Sequence, residues 1–586
     1  MQNGSFHFYK DKIILRVRNR VCNNSEELIQ SELFEKILWR FLKGLEESES
    51  VLLTVFPDSR VSRESMEVLI ETFYYLSRLP GDKTVKLVEG SEVFLKDPFL
   101  LNELVEQFYN YWRHLHRLII CDSVFDRFDQ KPYRTFNDLV ESLMHIVRST
   151  YRTIQENITG NHPKIYRQVS AGAEIGAIAL PYHINYAAGL YDSLQDIFVI
   201  RQALIYPPMI FKTPMNKRTG QFEAIDKNPL TDLHLPANEW LCYPAKVGEL
   251  LIMVYFCLDF FELGFSLCNL FELADEEDLK RKPDAIFIYG APPEAAPHVN
   301  GNETVFYEDR ENDCLIGTIP YKDEFGYFGY LKKMILTLHN IKRMRSGFLP
   351  FHGAMVRITL HGSDSFSLVV MGDSGAGKSE TIEALRRIRS SEIKEVLIVA
   401  DDMGSFALTP DGNVIGFGTE MGAFVRLDDL QAGYAFGQMD RTIIMNPDQV
   451  NARVVLPVTR YEYLIKGIPV DAVLYANNYE MVDEEHKAIE KFATPQDALR
   501  VFRRGAVMSK GTTTTTGIVE NYFANIFGPV QYQDLHEQIA EKYFNAFFED
   551  GLFVGQLRTM LGIHGQEQSG PEQAALELLE LIRNRL

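Results

Sequence analysis

Cysteine is scarce in this 586-residue sequence, and its few copies are scattered. None of the six cysteines forms a Cys-x-x-Cys pair or a cluster with the spacing of a zinc site. This distribution argues against a disulfide framework and against a structural zinc module. We expect free, buried thiols in a protein of the reducing cytoplasm.

Basic residues are outnumbered as well. The chain carries 60 Lys and Arg against 80 Asp and Glu, so that its formal net charge is -20. Because a nucleic-acid backbone needs a basic surface, this balance argues against a nucleic-acid partner. A small anion can still bind, since a local group of cations overrides the global sign.

Long apolar runs are also missing. The segment Met1–Arg20 carries charged residues between its apolar ones, unlike a signal peptide. The longest apolar segment, Leu250–Phe271, is interrupted by Asp259 and Glu262, which favours a buried core element over a membrane span. The sequence therefore predicts no membrane partner and a cytoplasmic location, and it leaves the oligomeric state open.

The length predicts about two to four domains. Residues 1–155 place apolar residues at helical spacing and predict a mostly helical accessory or oligomerisation region. Residues 156–340 mix helices with short strands such as Ala285–Ile288. Residues 341–586 alternate β-rich runs with glycine-bounded turns and predict an α/β lobe.

The predicted elements of the first region are the helical segments Ser25–Leu45, Leu100–Leu118 and Phe136–Ile154. Those of the last region are the strands Ala354–Leu360, Ser367–Met371, Val396–Val399 and Asn413–Phe417, and the helices Glu380–Arg389 and Glu572–Arg585.

The most specific motif is Gly372-Asp-Ser-Gly-Ala-Gly-Lys-Ser379, which satisfies the phosphate-loop (P-loop) pattern G-x-x-x-x-G-K-[ST]. An apolar strand precedes it and a helix follows, as the motif requires. Its glycines let amide groups approach phosphate oxygens, and the helix N-terminus adds partial positive charge. The sequence therefore predicts that ATP binds here with Mg2+.

Two residues of the motif have specific roles. Lys378 is expected to neutralise charge on the β- and γ-phosphates, and Ser379 to ligate Mg2+ through its hydroxyl. A second apolar strand ends at Asp401 and Asp402, whose carboxylates suit Mg2+ or Mn2+. The predicted cofactor-binding residues are Gly372, Asp373, Ser374, Gly375, Ala376, Gly377, Lys378, Ser379 and Glu380.

The segments Gly372–Glu380 and Val399–Asp402 together resemble HPr kinase/phosphorylase, which shares a P-loop superfamily with ATP-dependent phosphoenolpyruvate carboxykinase. Flanking segments resemble the carboxykinase and follow its order: Lys282–Ala291, Tyr327–Lys333, Phe351–Met355, Thr459–Tyr461, Gly511–Ile518 and Phe523–Gly528. The resemblance implies an α/β fold with a two-lobed, phosphoenolpyruvate carboxykinase-like core and a P-loop C-terminal lobe. A mostly helical N-terminal region would precede that core.

The resemblance also implies a second metal. Lys333, His352 and Asp402 would hold Mn2+ beside the Mg2+ at Ser379. Because a lysine ligates a metal only when neutral, burial and a neighbouring cation must lower the pKa of Lys333. The metal would stabilise the enolate formed as oxaloacetate loses carbon dioxide.

Three further residues receive roles from the resemblance. Arg460 would sit on the transferring phosphoryl group, and Tyr327 would lie near the substrate and carbon dioxide. Arg218 is the candidate for binding the substrate carboxylate through a bidentate fork. Each candidate also has a structural alternative, such as an exposed lysine, an ion-pair arginine at 460 or a surface arginine at 218.

Some features depart from the carboxykinase pattern. Glu380 matches HPr kinase, where the carboxykinase has a threonine. The segment Gly511–Gly517 lacks the arginine that the carboxykinase places at the nucleotide, and no Gly-Arg-Ser-Pro loop lies near Arg218. These departures fall on the substrate and nucleotide sides, so that a different phosphoryl acceptor is an alternative.

Three functions therefore stay open. The first is a carboxykinase that converts oxaloacetate and ATP to phosphoenolpyruvate, carbon dioxide and ADP. The second is a kinase acting on a protein or another small molecule, as HPr kinase does. The third is a regulatory protein that binds nucleotide without turnover.

Overall fold

The computed structural model describes residues 4–9, 12–17, 22–121, 132–161, 165–166, 175–187, 189–205, 208–219, 221–231, 233–362, 364–388, 392–427, 430, 441–509 and 517–585. The chain has a mixed α/β architecture with several sheets, and it divides into two compact units, Met1–Pro163 and Lys164–Leu586. The boundaries predicted at residues 155 and 340 stay predictions.

The first unit combines helices with a small sheet. Its helices are Ser25–Ile29, Glu32–Glu47, Arg63–Leu76, Gly81–Thr84, Glu92–Leu95, Pro98–His114 and Pro132–Thr159. Its sheet has the strand order Gly4–Tyr9, Lys12–Val17, His116–Cys121. The helices predicted at Ser25–Leu45 and Phe136–Ile154 are confirmed, the former as two helices.

Helix Glu32–Glu47 shows why these residues are helical. The Ser31 side chain accepts a hydrogen bond from Phe34 N and so caps the first turn. The apolar residues that recur every three or four positions are buried on one face: Leu33, Ile37, Leu38, Phe41 and Leu42.

The helix predicted over Leu100–Leu118 is wrong at its C-terminal end. The helix ends at His114, and His116–Cys121 pairs in parallel with Lys12–Val17. The run of branched apolar residues at 118–120 suits a strand better than a helix, and the pairing partner lies about a hundred residues earlier in the chain. The apolar periodicity therefore predicted a helix that was about one turn too long.

The second unit contains two large sheets. The first has the strand order Ile165–Tyr166, Val199–Ile205, Trp240–Val247, Leu250–Cys257, Ala285–Ala291, Cys314–Pro320, Val305–Asp309, Glu223–Ile225, with Ile175–Leu180 and Glu272–Leu273 pairing beside this path. The second has the order Ile468–Pro469, Val414–Gly418, Met403–Leu408, Leu349–Leu360, Ser365–Met371, Ala472–Asn477, Phe553–Arg558, Ile489–Lys491, and Ile393–Ala400 pairs with Leu349–Leu360.

Two smaller sheets complete the unit. One has the order Gly422–Arg426, Arg453–Pro457, Ile443–Met445, Met209–Phe211, and the other joins Ala506–Ser509 to Gly517–Glu520. The helices are Phe261–Phe265, Glu276–Lys280, Phe328–Arg345, Lys378–Ile388, Tyr461–Ile465, Pro495–Arg504, Gln533–Glu549 and Ser569–Arg585.

Helix Phe328–Arg345 lies between the two large sheets. It contacts Ala285–Ala291 and Cys314–Pro320 of the first sheet and Leu349–Leu360 of the second. Its side chains are therefore buried along nearly its whole length. This helix carries Lys332 into the interior and leaves the neighbouring Lys333 half-buried.

The strands and helices predicted for the last region are confirmed, with ends that differ by a few residues. The predicted core segment at Leu250 begins with strand Leu250–Cys257, which is buried except at its two ends. Within the part of the chain that the structure describes, no helix combines the length and apolar character that crossing a membrane requires.

Candidate functional site

The glycine-rich loop joins strand Ser365–Met371 to helix Lys378–Ile388. The backbone angle φ is 78° at Gly375 and 92° at Gly377, a region that L-residues rarely adopt. A Cβ atom on Gly377 would also lie 2.6 Å from Thr559 Oγ1. Position 377 therefore requires glycine for both its conformation and its space.

Side chains from other elements fix the loop. Asn478 Nδ2 donates to Gly375 O at 2.9 Å, and Thr559 Oγ1 donates to Ala376 O at 2.7 Å. These two donors follow the neighbouring strands Ala472–Asn477 and Phe553–Arg558 of the same sheet. The loop conformation is thus held by side chains before any ligand binds.

Lys378 is buried and folds back over the start of the loop. Its Nζ donates to Gly372 O at 2.6 Å and to Asp373 O at 3.0 Å. The Asp373 carboxylate in turn accepts a hydrogen bond from Asn521 Nδ2 at 2.8 Å. The ammonium group therefore lies within the loop, where the motif predicts contact with phosphates.

A cleft of about 140 Å³ opens beside this loop. One side is formed by the loop and by the two predicted carboxylates, and the other by strands of a smaller sheet. Its lining includes Ser374, Gly375, Ala376, Gly377, Lys378, Ser379, Glu380, Glu383, Asp401, Asp402, Phe424, Arg426 and Arg453. Among the described residues, the cleft thus combines a phosphate loop, carboxylates and guanidinium groups.

Arg426 and Arg453 occupy paired positions on adjacent strands. Like charges directly opposite each other destabilise a sheet. The Arg453 guanidinium lies 5.5 Å from the centroid of the Phe424 ring, and its Nε is buried with no hydrogen-bond partner in the described part of the chain. An anion bound across the cleft from the loop would offset the repulsion and supply the missing partner.

Arg453 lines the cleft, and the sequence prediction did not include it. The predicted phosphoryl-binding residue, Arg460, precedes the short helix Tyr461–Ile465, and the cleft lining contains Arg453 instead. The sequence did contain a signal for this residue, because Arg453 is a charged residue at the first position of an otherwise apolar strand, Arg453–Pro457. Whether this arginine reaches the cleft depends on which strand Arg453–Pro457 pairs with, and that pairing is not local in the sequence.

His352 and Asp402 face each other, with His352 Nε2 2.9 Å from Asp402 Oδ1. The other ring nitrogen, Nδ1, lies at hydrogen-bond distance from Ala524 O. Because a carbonyl oxygen only accepts, the proton of a neutral ring is on Nδ1, and Nε2 presents a lone pair to the carboxylate. Two acceptors at this distance need a shared cation, which is either a second ring proton or a metal ion.

Lys332 joins this pair to a second carboxyl group. Its Nζ lies 2.7 Å from Asp402 Oδ2 and 3.0 Å from Glu420 Oε1. Burial alone would raise the pKa of Asp402, but the charges of Lys332 and His352 hold it well below its usual range. Burial raises the pKa of Glu420 to about 8 despite Lys332. At neutral pH, Asp402 is therefore ionised and Glu420 is mostly protonated.

Lys333, the predicted metal ligand, has a different environment. Burial, reinforced by the charge of Arg218, lowers the pKa of Lys333 to about 7, in the direction that metal ligation requires. Its Nζ lies 4.6 Å from the centroid of the Phe527 ring. Lys332, rather than Lys333, bonds directly to Asp402, while Lys333 is close enough for its charge to interact with that carboxylate.

The predicted substrate residues lie near Lys333. The half-buried Arg218 has its guanidinium 5.5 Å from the centroid of the Phe222 ring. Burial lowers the pKa of Arg218, which is close enough to Tyr327 for the two groups to interact electrostatically. Tyr327 is buried at the start of helix Phe328–Arg345. The structure therefore brings Arg218, Tyr327 and Lys333 into one neighbourhood.

The predicted Mg2+ ligands, Ser379 and Asp401, both line the cleft. Within the described ranges, no group of three or more His, Cys, Asp or Glu side chains is arranged to hold a metal. The predicted ligand sets draw instead on a hydroxyl, a carboxylate, an imidazole and an amine.

The segment Gly511–Gly517, predicted to contact the nucleotide, lies outside the described residues up to position 516. The segment Phe523–Gly528, one of those that resemble the carboxykinase, lies among the described residues. Positive φ angles at Phe523, Ala524 and Asn525 turn the chain there. That turn places Ala524 O against His352 and the Phe527 ring against Lys333.

Comparison of the chain with protein-family models and with curated proteins finds no match.

Proposed function

We propose that this chain is an ATP-dependent phosphoryl-transfer enzyme of the phosphoenolpyruvate carboxykinase type, with the two-lobed fold of that family. One observation carries the proposal: the glycine-rich loop, two carboxylates and two paired arginines line a single cleft. Phosphoryl transfer needs this combination, because the protein contributes mainly positioning and charge stabilisation to it.

The residues of the cleft would have different roles in phosphoryl transfer. Lys378 and the loop amides hold the β- and γ-phosphates, and the fixed loop conformation removes the cost of ordering them. Arg453 and Arg426 approach the transferring group from the opposite wall. We assign to Arg453 the role that the sequence prediction gave to Arg460, since Arg453 lines the cleft.

The residues also fit the two divalent cations that the family implies. Ser379 and Asp401 would hold Mg2+ as hard oxygen ligands. His352 and Asp402 present two acceptor atoms 2.9 Å apart, and Lys333 offers an amine whose pKa is lowered to about 7, so that this trio would hold Mn2+. A bound Mn2+ would supply Lewis-acid chemistry at the substrate oxygen.

The substrate side supports a small dicarboxylate. Arg218 would bind a carboxylate of oxaloacetate through its guanidinium fork, and the buried Tyr327 would orient the substrate beside it. The Lys332 ammonium group holds Asp402 in its ionised form. The proposed reaction converts oxaloacetate and ATP to phosphoenolpyruvate, carbon dioxide and ADP.

A kinase with a different acceptor is the second candidate, and Glu380 favours it. This residue lines the cleft next to Ser379, at the position where the sequence resembles HPr kinase. The acceptor would then be a protein or another small molecule. A nucleotide-binding regulatory protein without turnover is the remaining alternative.

The test is a coupled assay of the purified chain with oxaloacetate, ATP, Mg2+ and Mn2+, in which phosphoenolpyruvate is measured. The Lys378→Ala variant is the blank, because it lacks the phosphate-binding ammonium. Formation of phosphoenolpyruvate by the unmutated chain alone is the expected result. If none forms but label from γ-labelled ATP reaches a protein or small-molecule acceptor, the kinase replaces the carboxykinase. ATP binding without transfer would leave the regulatory protein.

A further inference from the structure

Glu383 lines the cleft and has no role in the reaction described above. It lies on helix Lys378–Ile388, and only 3% of the residue is exposed. Its Oε2 atom is buried and accepts no hydrogen bond from the described residues. Because burying a carboxyl oxygen without a hydrogen-bond donor lowers stability, an acidic residue in this position needs a reason.

Arg386 forms an ion pair with Glu383 but no hydrogen bond. Its Nη1 atom lies 3.9 Å from Glu383 Oε2, which is too long for a hydrogen bond. Its Nη2 atom donates instead to Val396 O at 3.2 Å. The charge of Arg386 therefore leaves the hydrogen-bonding capacity of the Glu383 carboxylate unused.

Helix geometry places Glu383 one turn after Ser379. Residues four apart lie on the same face of a helix, and helical side chains lean towards the N-terminus of their helix. The Glu383 side chain therefore extends over the turn that carries Ser379. Both residues line the cleft beside the glycine-rich loop.

A hydrated magnesium ion would supply the missing donor. Mg2+ gives up its waters reluctantly, so that protein sites usually leave several of them on the ion. Within the described residues, no three His, Cys, Asp or Glu side chains are grouped to bind one metal directly, which suits a partly hydrated ion. The waters of such an ion donate hydrogen bonds and need acceptors in the wall of the cleft.

We propose that Glu383 is a positioning residue for this ion, and that its carboxylate accepts a hydrogen bond from the hydration shell of Mg2+. This role rests on the proposed binding of ATP and Mg2+ beside the glycine-rich loop, with Ser379 and Asp401 as ligands. The ion offsets the buried negative charge, and the carboxylate fixes the orientation of the hydration shell. Outer-shell partners of this kind typically change metal affinity about 10–100-fold.

Calorimetric titration of ATP, with and without Mg2+, measures this role in the Glu383→Met variant of the full chain. Methionine removes the charge and the acceptor, and the variant should unfold at the same temperature or higher, because a poorly paired buried charge is lost. The gain in ATP affinity on adding Mg2+ should fall at least about tenfold. Affinity without Mg2+ should stay the same or rise, since a carboxylate repels phosphates.

Arg386→Met is the matched control. It removes the ion-pair partner and keeps the Glu383 carboxylate. Because an ion pair with this separation contributes little, the gain on adding Mg2+ should stay within about twofold of that of the unmutated chain.

Three results would overturn the proposal. An unchanged gain on adding Mg2+ in a folded Glu383→Met variant would remove the role of Glu383 and leave the nucleotide site intact. Equal weakening with and without Mg2+, or the same loss in Arg386→Met, would make Glu383 a structural residue. If the unmutated chain binds ATP no more tightly with Mg2+, the proposed magnesium site itself fails, and the role of Glu383 fails with it.

Discussion

Replacing Arg453 by glutamine should remove most of the phosphoryl-transfer activity, whereas the same change at Arg460 should not. Arg453 lines the cleft that contains the glycine-rich loop, and it sits opposite Arg426 in the strand register. Removing one group that stabilises charge in the transition state lowers kcat about 10²–10³-fold, which corresponds to roughly 3–4 kcal/mol. We expect a loss of that size for Arg453→Gln.

The fold should survive this change. Arg453 and Arg426 are like charges at paired positions, so that removing one relieves repulsion in the free protein. Arg453→Lys keeps a point charge but loses the planar fork, and its kcat should fall between those of the glutamine variant and the unmutated chain. Arg460→Gln should keep kcat within about threefold, as an ordinary substitution outside the site does.

The assay is transfer of label from γ-labelled ATP at saturating nucleotide, with circular dichroism to confirm that each variant is folded. Full activity in a folded Arg453→Gln variant, together with a large loss in Arg460→Gln, would show that Arg453 does not stabilise the transferring phosphoryl group. The sequence prediction for Arg460 would then stand in its original form.

Three further changes test other contacts of the second unit. Thr559→Val deletes the hydroxyl that donates to Ala376 O, and we expect nucleotide binding to weaken about fivefold in calorimetry, because one hydrogen bond is worth about 1 kcal/mol. Lys332→Met leaves buried carboxyl groups at 402 and 420 without their cation, and it should destabilise the fold by about 3–5 kcal/mol in urea unfolding. Burial lowers the pKa of His536 from 6.5 to about 4, so the unfolded chain takes up a proton across that range that the folded chain does not. Stability should therefore fall by about 3 kcal/mol as the pH drops through this window, and His536→Gln should flatten that dependence.

Each of these three predictions can be contradicted by a specific result. Unchanged nucleotide affinity in Thr559→Val would show that the loop does not depend on this donor. Lys332→Met should be compared with Lys466→Met, an exposed lysine whose loss should be nearly neutral, and equal midpoints for the two variants would contradict the buried ion pair. The same midpoint at every pH between 6.5 and 4, or an equal pH dependence in His536→Gln, would contradict a neutral buried histidine.

The glycine-rich loop was predictable because its signal is local. Strand, loop and helix follow one another within residues 365–388, and each residue type has a backbone or charge reason at its position. The helices and strands around the loop could be predicted from apolar periodicity, because that signal is local as well. The side chains that hydrogen-bond to the loop, Asn478 and Thr559, follow strands that are distant in the sequence. No local sequence pattern identifies them.

The remaining parts of the site depend on pairing between distant segments. Adjacent lysines at 332 and 333 look alike in the sequence, yet helix geometry points one at Asp402 and the other towards the Phe527 ring. The position of Arg453 opposite Arg426 depends on the pairing of their two strands. The environment of Glu420 likewise depends on its contact with Lys332. The sheet formed by Lys12–Val17 and His116–Cys121 likewise needs partners separated by about a hundred residues.

Calorimetric titration of ATP into the full chain, with and without Mg2+, tests most directly whether the loop Gly372–Ser379 is a nucleotide site. We expect saturable binding at one site that strengthens with Mg2+, and at least about tenfold weaker binding in Lys378→Ala, because that variant loses a charge-assisted contact to the phosphates. Equal affinity in the folded Lys378→Ala variant, or no binding by the unmutated chain, would contradict it.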